Sequence, residues 1–453
     1  MIKKAFEGFI DAKRMRDVLQ QQLPSFPNGR RVITGCTIGY TKYKTYKNPS
    51  SYGKSNLSLC YHLQVTETST QTSGEQILYL KAYLENRSRA VFEKERQKSY
   101  VTPRFGAAVA HLRELDAIVW AFPNDPVLAH LPQCIDPEKV SRHFPYEHLP
   151  ESLNAPGDLQ TVDVEIVHYR PEVRCTSRYT LKWGVPTKEK KVTLFGKTFA
   201  DDQGKALYER ALTLYQETQE QAEHFLIAKP LGYDAGLKML WQTGLEGRAL
   251  VDALDQTNYR PLLQSVATGL ARFHQSALLS PIRISMKDQV AEIQKKIAKL
   301  TRAFPRLSAP LEAIEKKLRE DAEHLAAFSE SIIHADFSAQ QLLVCKERIA
   351  CFDFDEFAMG DAAQDVANFI VDCYFRDFDP EFVPLITAAF VQAYEAASGA
   401  AIPGDRLNWY VRLLFITKAY RFYLQQRPQL EAEVSAIVAL ACQGIGVNKE
   451  VLR

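Results

Sequence analysis

The sequence predicts an α+β chain in which strand-rich modules come first and helices dominate the second half. Two observations carry this: a strand-hairpin, strand and helix module that occurs twice, and helical periodicity through most of residues 259–445. In the first copy LSLCYHL at 57–63 precedes ILYLKAYLENRSRAVFEK at 77–94; in the second CTSRYTL at 175–181 precedes VTLFGKTFADDQGKALYER at 192–210. Lys81 and Lys197 each sit in a β-like run, and each is followed 12 positions later by a glutamate, Glu93 and Glu209. Ala90-Val91-Phe92 matches Ala206-Leu207-Tyr208, and Tyr46-Lys47-Asn48-Pro49 answers Tyr169-Arg170-Pro171 ahead of them. Residues 122–158, between the copies, are dense in Pro, Asp and Asn, which punctuate helices and strands, so a domain boundary is expected there.

After the second copy, 227–241 reads as two short strands around Gly232 and Gly236. Residues 259–278 place Leu262, Leu263, Val266, Leu270 and Phe273 at helical spacing, and 287–328 reads as a helical pair broken at AFPRLSAP. HADFSAQQLLVCKERIACFDFD, at 334–355, reads as a loop and a hairpin whose turn Cys345 and Cys351 flank closely enough to be neighbours.

The 453 residues suffice for two or three domains with sizeable cores. Lys and Arg total 56 against 54 Asp and Glu, so charge gives no case for a nucleic-acid or membrane partner. No apolar run reaches the roughly 18 residues that a spanning helix needs. The opening MIKKAFEGFIDAKRMRDVL is interrupted by charges and lacks the apolar core of a signal peptide. Eight cysteines without a C-x-x-C read as reduced thiols of a cytoplasmic protein rather than zinc ligands. Oligomeric state is open.

Carboxylates seldom sit beside runs such as Leu342-Leu343-Val344 and Ile349-Ala350-Cys351-Phe352 unless a cation or a reacting proton holds them there. A phosphoryl donor brings several negative charges, and its site needs magnesium and usually a lysine. Magnesium takes a carboxylate or two and an amide oxygen, with water completing the octahedron. Asp353 supplies a carboxylate and Gln341 an amide oxygen, with the hairpin between them bringing the two together. Asp336, five residues before Gln341, is placed to accept a proton from an attacking hydroxyl, and Lys197, held by Glu209, to reach donor phosphates.

His334-Ala-Asp336 through Gln341, then Phe352-Asp353-Phe354-Asp355, resembles the catalytic and metal loops of the aminoglycoside phosphotransferase and choline kinase family. Gly360-Asp361-Ala-Ala-Gln-Asp365-Val-Ala resembles that family's G-D-P-x-x-D-L-A segment, and VATGLARFHQS at 266–276 its helix ending in Leu-His. The resemblance covers about 158–445. It implies a two-lobed protein-kinase-like fold: a small lobe at 158–245 and a helical large lobe at 246–453, preceded at 1–150 by a degenerate duplicate of the small lobe. It implies a small-molecule kinase using Mg2+ and ATP, or GTP, on a hydroxyl acceptor of sugar-like or aminoglycoside-like kind. Asp336 becomes the base, Gln341 and Asp353 the metal ligands, and Lys197 with Glu209 the phosphate anchor. Trp241, Gln242 and Thr243 become a hinge that reads the adenine edge, with His334, Asp355 and Asp361 in support.

Further roles follow from the same resemblance. Asp361 stabilises the loop and Asp365 packs at a helix start. The family usually carries Asn where Gln341 stands, and no glycine-rich loop precedes Lys197, which leaves Arg174 or Arg178 to meet the phosphates. These two departures favour the alternative, a non-catalytic pseudokinase that binds nucleotide or docks a partner. His274 reads as a satisfied core histidine, and Lys81 with Glu93 as an ion pair or a ligand pair. Tyr374, Asp377, Asp379, Glu381, Trp409, Tyr410 and Tyr420 suit an amine-bearing sugar and equally an ordinary amphipathic surface.

Overall fold

A computed structural model describes residues 6–24, 26–45, 54–149, 159–183, 190–218, 225–325, 328–346, 348–427 and 429–444. The lead-in Tyr46-Lys47-Asn48-Pro49 lies outside them. The chain divides into two compact units: Met1–Tyr208 with Pro230–Gly244 and Tyr423–Pro428, and Glu209–Lys229 with Leu245–Phe422 and Gln429–Arg453.

The first unit is built on two five-stranded sheets. Helix α1 (Ala12–Gln22), capped by the Asp11 carboxylate on the Arg14 N–H, leads into β1 (Arg31–Lys44), β2 (Asn56–Glu67) and β3 (Thr72–Ala82). Helix α2 (Ser88–Glu95), β4 (Val109–Leu112) and β5 (Ala117–Ala121) complete the first set, whose sheet order is β1-β2-β3-β5-β4. The second set repeats it: β6 (Leu159–Arg170), β7 (Arg174–Trp183), β8 (Lys190–Phe199), helix α3 (Gln203–Thr218), β9 (Pro230–Asp234) and β10 (Met239–Thr243), in the order β6-β7-β8-β10-β9. Lys81 and Lys197 occupy the same place, on the third strand of each sheet, paired with the second and fifth. Strand β7 alternates strictly, with Cys175, Ser177, Tyr179, Leu181 and Trp183 buried, as period two dictates for a one-sided core.

Residues 122–149 pack one side onto the sheets, because their Pro and Asp punctuation is interleaved with apolar side chains. Leu128 and Leu131 lie in one core with Cys60, Tyr79, Ile118 and Trp120 of the first sheet and Tyr169 and Cys175 of the second. Cys134, Val140, Phe144 and Leu149 pack on Tyr179, Trp183, Met239 and Trp241 of the second sheet alone. One buried carboxylate ties these layers. Asp125 Oδ1 accepts from the Val127 and Leu128 N–H groups at 2.8 Å, and Oδ2 from the Tyr169 hydroxyl at 2.6 Å and the Glu172 N–H at 3.0 Å. Beside it, Lys81 Nζ donates to both Glu172 oxygens at 2.7 and 2.9 Å. Lys81 is therefore not paired with Glu93, which bonds Arg96 at 2.8 Å. The shorter reach across the sheet interface wins over the helix.

In the second unit α4 (Tyr259–Gln275), α5 (Met286–Ala303) and α6 (Ser308–Leu325) follow β11 (Arg248–Ala249), with α5 and α6 separated at the expected break. Strands β12 (Ser331–Ile333), β13 (Leu342–Cys345), β14 (Arg348–Cys351) and β15 (Ala358–Gly360) lead to α7 (Ala362–Cys373), α8 (Phe382–Ser398), α9 (Gly404–Gln425) and α10 (Leu430–Gln443). Phe337, Phe369 and Phe390 form the aromatic centre of this unit, all below 2% exposed. Cys345 faces Arg348 and Cys351 faces Leu342, so the two thiols stand at opposite ends of the hairpin and are not neighbours. No helix among the described residues is long and apolar enough to cross a membrane.

Replacing Asp125 with Ala strips two capped amides, a tyrosine hydroxyl and the Glu172 amide of their acceptor. The expected cost is about 2–4 kcal/mol, read as a lower midpoint of urea unfolding followed by the fluorescence of Trp120 and Trp183. An unchanged midpoint would show that the two sheets do not depend on this carboxylate.

Candidate active site

Strands β12 and β15 pair antiparallel, with Ile333 opposite Ala358, so both ends of the 334–357 excursion are clamped at one place. The excursion is then organised by Asp365, which is fully buried on α7. Its Oδ2 accepts from the His334 N–H at 2.6 Å and its Oδ1 from the Ala335 N–H at 2.8 Å. His274 on α4 donates from Nε2 to Asp365 at 3.1 Å while the Tyr394 hydroxyl meets its Nδ1 at 2.8 Å. The core-histidine reading of His274 fits this geometry, in which both ring nitrogens are engaged. Ala335 has φ +69°, a left-handed conformation that costs an alanine roughly 1–2 kcal/mol. It is held there from both sides, its carbonyl accepting from Asn368 Nδ2 at 3.1 Å.

The resemblance had assigned the two aspartates of this segment the other way round. Asp361 is the N-cap of α7, its Oδ1 accepting from the Ala363 N–H at 3.0 Å, and Asp365, one turn further, holds the loop. The reason is helical geometry: the helix begins at Ala362, so the residue before it caps, and the residue four positions on faces the core. Burial raises the Asp361 carboxyl above its ordinary value despite Arg406, whose Nε lies 3.7 Å from Oδ2.

Asp336 projects from this fixed loop and stays exposed, while Phe337 beside it is buried. The packed surroundings strip enough water from its carboxyl to raise its pKa, with the Asp353 charge adding to the effect; His334, Arg421 and a hydrogen bond from Gln341 pull the other way. Gln341 is buried at the third position of a short turn opened by Ser338. Its Oε1 accepts from the Ser338 N–H at 3.1 Å and from the Ser338 hydroxyl at 3.2 Å, and its amide nitrogen donates to Asp336 Oδ2 at 3.3 Å. The oxygen expected to meet a metal is thus the acceptor of a capping box, and the group aimed at Asp336 is a donor. Asp353 has φ +67° and precedes the turn Phe354–Glu356. His334 donates from Nε2 to the carbonyl of Phe352 at 3.2 Å, which links the loop of Asp336 to the backbone of Asp353. Asp355 lies in that turn, where Arg210 of α3 donates to the Asp355 carbonyl at 3.3 Å and stacks 4.2 Å over the Phe357 ring.

The remaining expected residues belong largely to the other unit. Lys197 is buried on β8 at 8% exposure, opposite Thr176 and Leu240. Trp241, Gln242 and Thr243, the expected hinge, form the end of β10; Trp241 is buried, and the ladder to β9 ends where Gln242 meets Pro230. Glu209 is exposed on α3. Arg178 is ion-paired with Glu165 on the neighbouring strand. Trp409 and Tyr410 are core residues at 0% exposure, with the Trp409 indole donating to the Leu318 carbonyl at 2.7 Å, so neither is available to an acceptor. Asp379 serves its own turn, accepting from the Glu381 N–H at 2.9 Å.

Two residues escaped the sequence reading. Ser338 was signalled by Ser-x-x-Gln, the capping-box pattern. Asp372, buried on α7, accepts from the Ala339 N–H at 3.2 Å and from Arg376 Nε at 2.8 Å, a second anchor of the loop that no local pattern marks.

Residues 190–401 match the sequence model of the Phosphotransferase enzyme family, APH, so the resemblance read from the motifs is found independently over this stretch, and the class it gives is a phosphotransferase. A search of curated proteins gives no match. Among solved structures, a ternary complex of the aminoglycoside phosphotransferase APH(4)-Ia with ADP and hygromycin B is similar at TM-score 0.46 and 17% identity, over 62% of this chain and 94% of that one. ADP-bound APH(2'')-Ib is similar at TM-score 0.44 and 16% identity, over 66% and 97%. A gentamicin complex of APH(2'')-IIa is similar at TM-score 0.43 and 15% identity, over 61% and 91%. The chain itself has the expected class, α+β, with a β-rich small lobe and a helical large lobe, preceded by a further sheet of the same strand order.

The raised Asp336 carboxyl means that its charge opposes folding once pH exceeds the folded pKa, and that protonation relieves the burden as pH falls through it. Asp336→Asn is therefore expected to melt higher than the parent at pH 7, with the difference shrinking in acid. Melting curves between pH 4 and 8 check this; a lower midpoint for the Asn variant at neutral pH would contradict it.

Proposed function

We propose that the protein is a small-molecule kinase that transfers the γ-phosphoryl group of ATP, or GTP, to a hydroxyl of a sugar-like acceptor. The observation that carries this is Asp336: an accessible carboxylate of raised proton affinity on a loop whose neighbouring amides and ring nitrogen are hydrogen-bonded into the core. In the reaction the acceptor O–H bond breaks and its proton passes to Asp336. The new O–P bond forms as the bond between the γ-phosphorus and the β,γ-bridging oxygen breaks, and ADP leaves with that electron pair. A positioned base of this kind contributes typically ~10²–10⁴-fold. Gln341, donating to Asp336, orients the carboxylate toward the hydroxyl.

Asp353, with Asp355 near it, offers carboxylates to magnesium, which takes only one or two from protein when phosphates and water complete its shell. When bound, the ion neutralises phosphate charge. Gln341 joins it only by giving up its bonds to Ser338, so the assignment rests on Asp353. Lys197 is the residue we assign to the donor phosphates, a buried lysine at the position the motif order requires. The engaged Gln341 oxygen is the one observation that favours the second reading, a pseudokinase that binds nucleotide without transferring phosphate.

A thermal-shift series with ATP and GTP, each with and without magnesium, tests the nucleotide half. Ligand at about a hundred times its dissociation constant adds roughly 2.7 kcal/mol of stability, and Asp353→Asn should abolish the magnesium-dependent part. Asp336→Ala should keep that shift while phosphate transfer falls by about 10²–10⁴-fold. Retained binding with no transfer in the parent protein, for any hydroxyl compound screened, would select the pseudokinase.

A further inference from the structure

The side of the large lobe that adjoins the Asp336 loop is basic. From the loop, the Ala339 N–H reaches Asp372, and Asp372 is shared by Arg376 and by Lys418 Nζ at 3.4 Å. One carboxylate thus serves two cations and an amide. Next along α9, Arg421 makes no hydrogen bond or ion pair among the described residues and is exposed, yet its charge acts on both Asp336 and Lys418. Across from α9, Lys296 and Lys299 on α5 meet hydroxyls rather than carboxylates: Lys296 Nζ donates to Thr417 at 3.1 Å, and Lys299 Nζ to Tyr420 at 2.7 Å. The acid of their own helix, Glu292, is exposed and ion-paired with Lys295, and its charge also acts on Lys296 and Lys299. Burial lowers the pKa of both Lys296 and Lys418 against the opposing charges of Glu292 and Asp372, and Arg421 and Arg376 add to the lowering of Lys418.

Such crowding of like charge is unfavourable in a partly desolvated place unless an anion relieves it. Threonine and tyrosine hydroxyls satisfy ammonium hydrogen bonds without neutralising them. The face is also aromatic: Phe375 lies between Phe415 and Phe422, at 6.2 and 5.5 Å, with Lys418 Nζ 5.0 Å from its ring. Apolar rings beside cations that outnumber their acids suit a ring compound that carries a negative group.

Resting on the kinase reading, we propose that the acceptor is an anionic hydroxyl compound, a sugar phosphate or sugar acid, held by Arg421, Lys296 and Lys418 while its hydroxyl meets Asp336. A cationic aminoglycoside would face the same charges with the wrong sign.

Calorimetric titration of the full chain, without nucleotide, with glucose 6-phosphate, gluconate, glucose and glucosamine tests the charge preference directly. At least one of the two anions should bind 10-fold or more tighter than glucose, with glucosamine the weakest; which anion binds separates phosphate from carboxylate recognition. Arg421→Gln, at an exposed position where folding is not at risk, should weaken the anion 10-fold or more and leave the thermal shift by magnesium and ATP in place. Lys296→Gln should do the same, and where turnover is measured it should raise the acceptor KM more than it changes kcat. Glucosamine binding as tightly as the anions, no binding of either anion, or an Arg421→Gln variant with unaltered preference would overturn the proposal. Absence of any nucleotide shift would remove the kinase reading alone, because the anion titrations stand without it.

Discussion

The start of the loop that carries Asp336 hangs on the buried carboxylate of Asp365. It accepts from two consecutive amides, His334 and Ala335, and it is braced from behind by His274 and Tyr394. Buried charge is tolerable only when its lone pairs are filled, and here the filling and the function coincide. The same bonds that satisfy Asp365 force Ala335 into the left-handed region and so turn Asp336 outward. The His334 ring, fixed by its own backbone bond, then reaches the Phe352 carbonyl next to Asp353. Two loops that are 17 residues apart in sequence are thereby positioned by one side chain.

The spacing of the chemistry-bearing residues could be read from the chain because each lies in a short segment with its own periodicity. His334-x-Asp336, the hairpin of β13 and β14, and the helix pair at 287–328 are local patterns, and local patterns survive folding. The roles of Asp361 and Asp365 were misassigned because both readings suit a Gly-Asp followed by an inward-facing Asp; only the point at which α7 begins decides between them. Gln341 was read by its chemistry, an amide oxygen, whereas Ser338 three residues before it dictates that the oxygen is already spoken for. Lys81 with Glu172, 91 residues apart, and Ala339 with Asp372, 33 apart, are contacts that no periodicity announces.

The two sheets show what happens when one topology is used twice. Both place a lysine on the third strand, but the lysine of the first sheet is neutralised by Glu172 on the turn between β6 and β7 of the second. That turn is three residues, Pro171 to Val173, with Glu172 at φ +62°, and its amide is also taken by Asp125. The place where a glycine-rich loop would offer free amides is therefore a tight turn committed to the first sheet. In this way the first copy acts on the second: its Lys81 holds Glu172 at the end of the hairpin, while Asp125 of the connecting segment holds the Glu172 amide.

An anionic acceptor would also change the base that receives its proton. Arg421 lowers the proton affinity of Asp336 while burial and Asp353 raise it. A negative group seated against Arg421 would cancel the first influence and add its own repulsion, so Asp336 would become more basic when the acceptor is in place than before. The catalytic carboxylate would thus gain proton affinity at the moment a hydroxyl is presented. A cationic acceptor would do the reverse, lowering the affinity of the base that it needs. On this ground recognition of the acceptor and activation of its hydroxyl share Arg421.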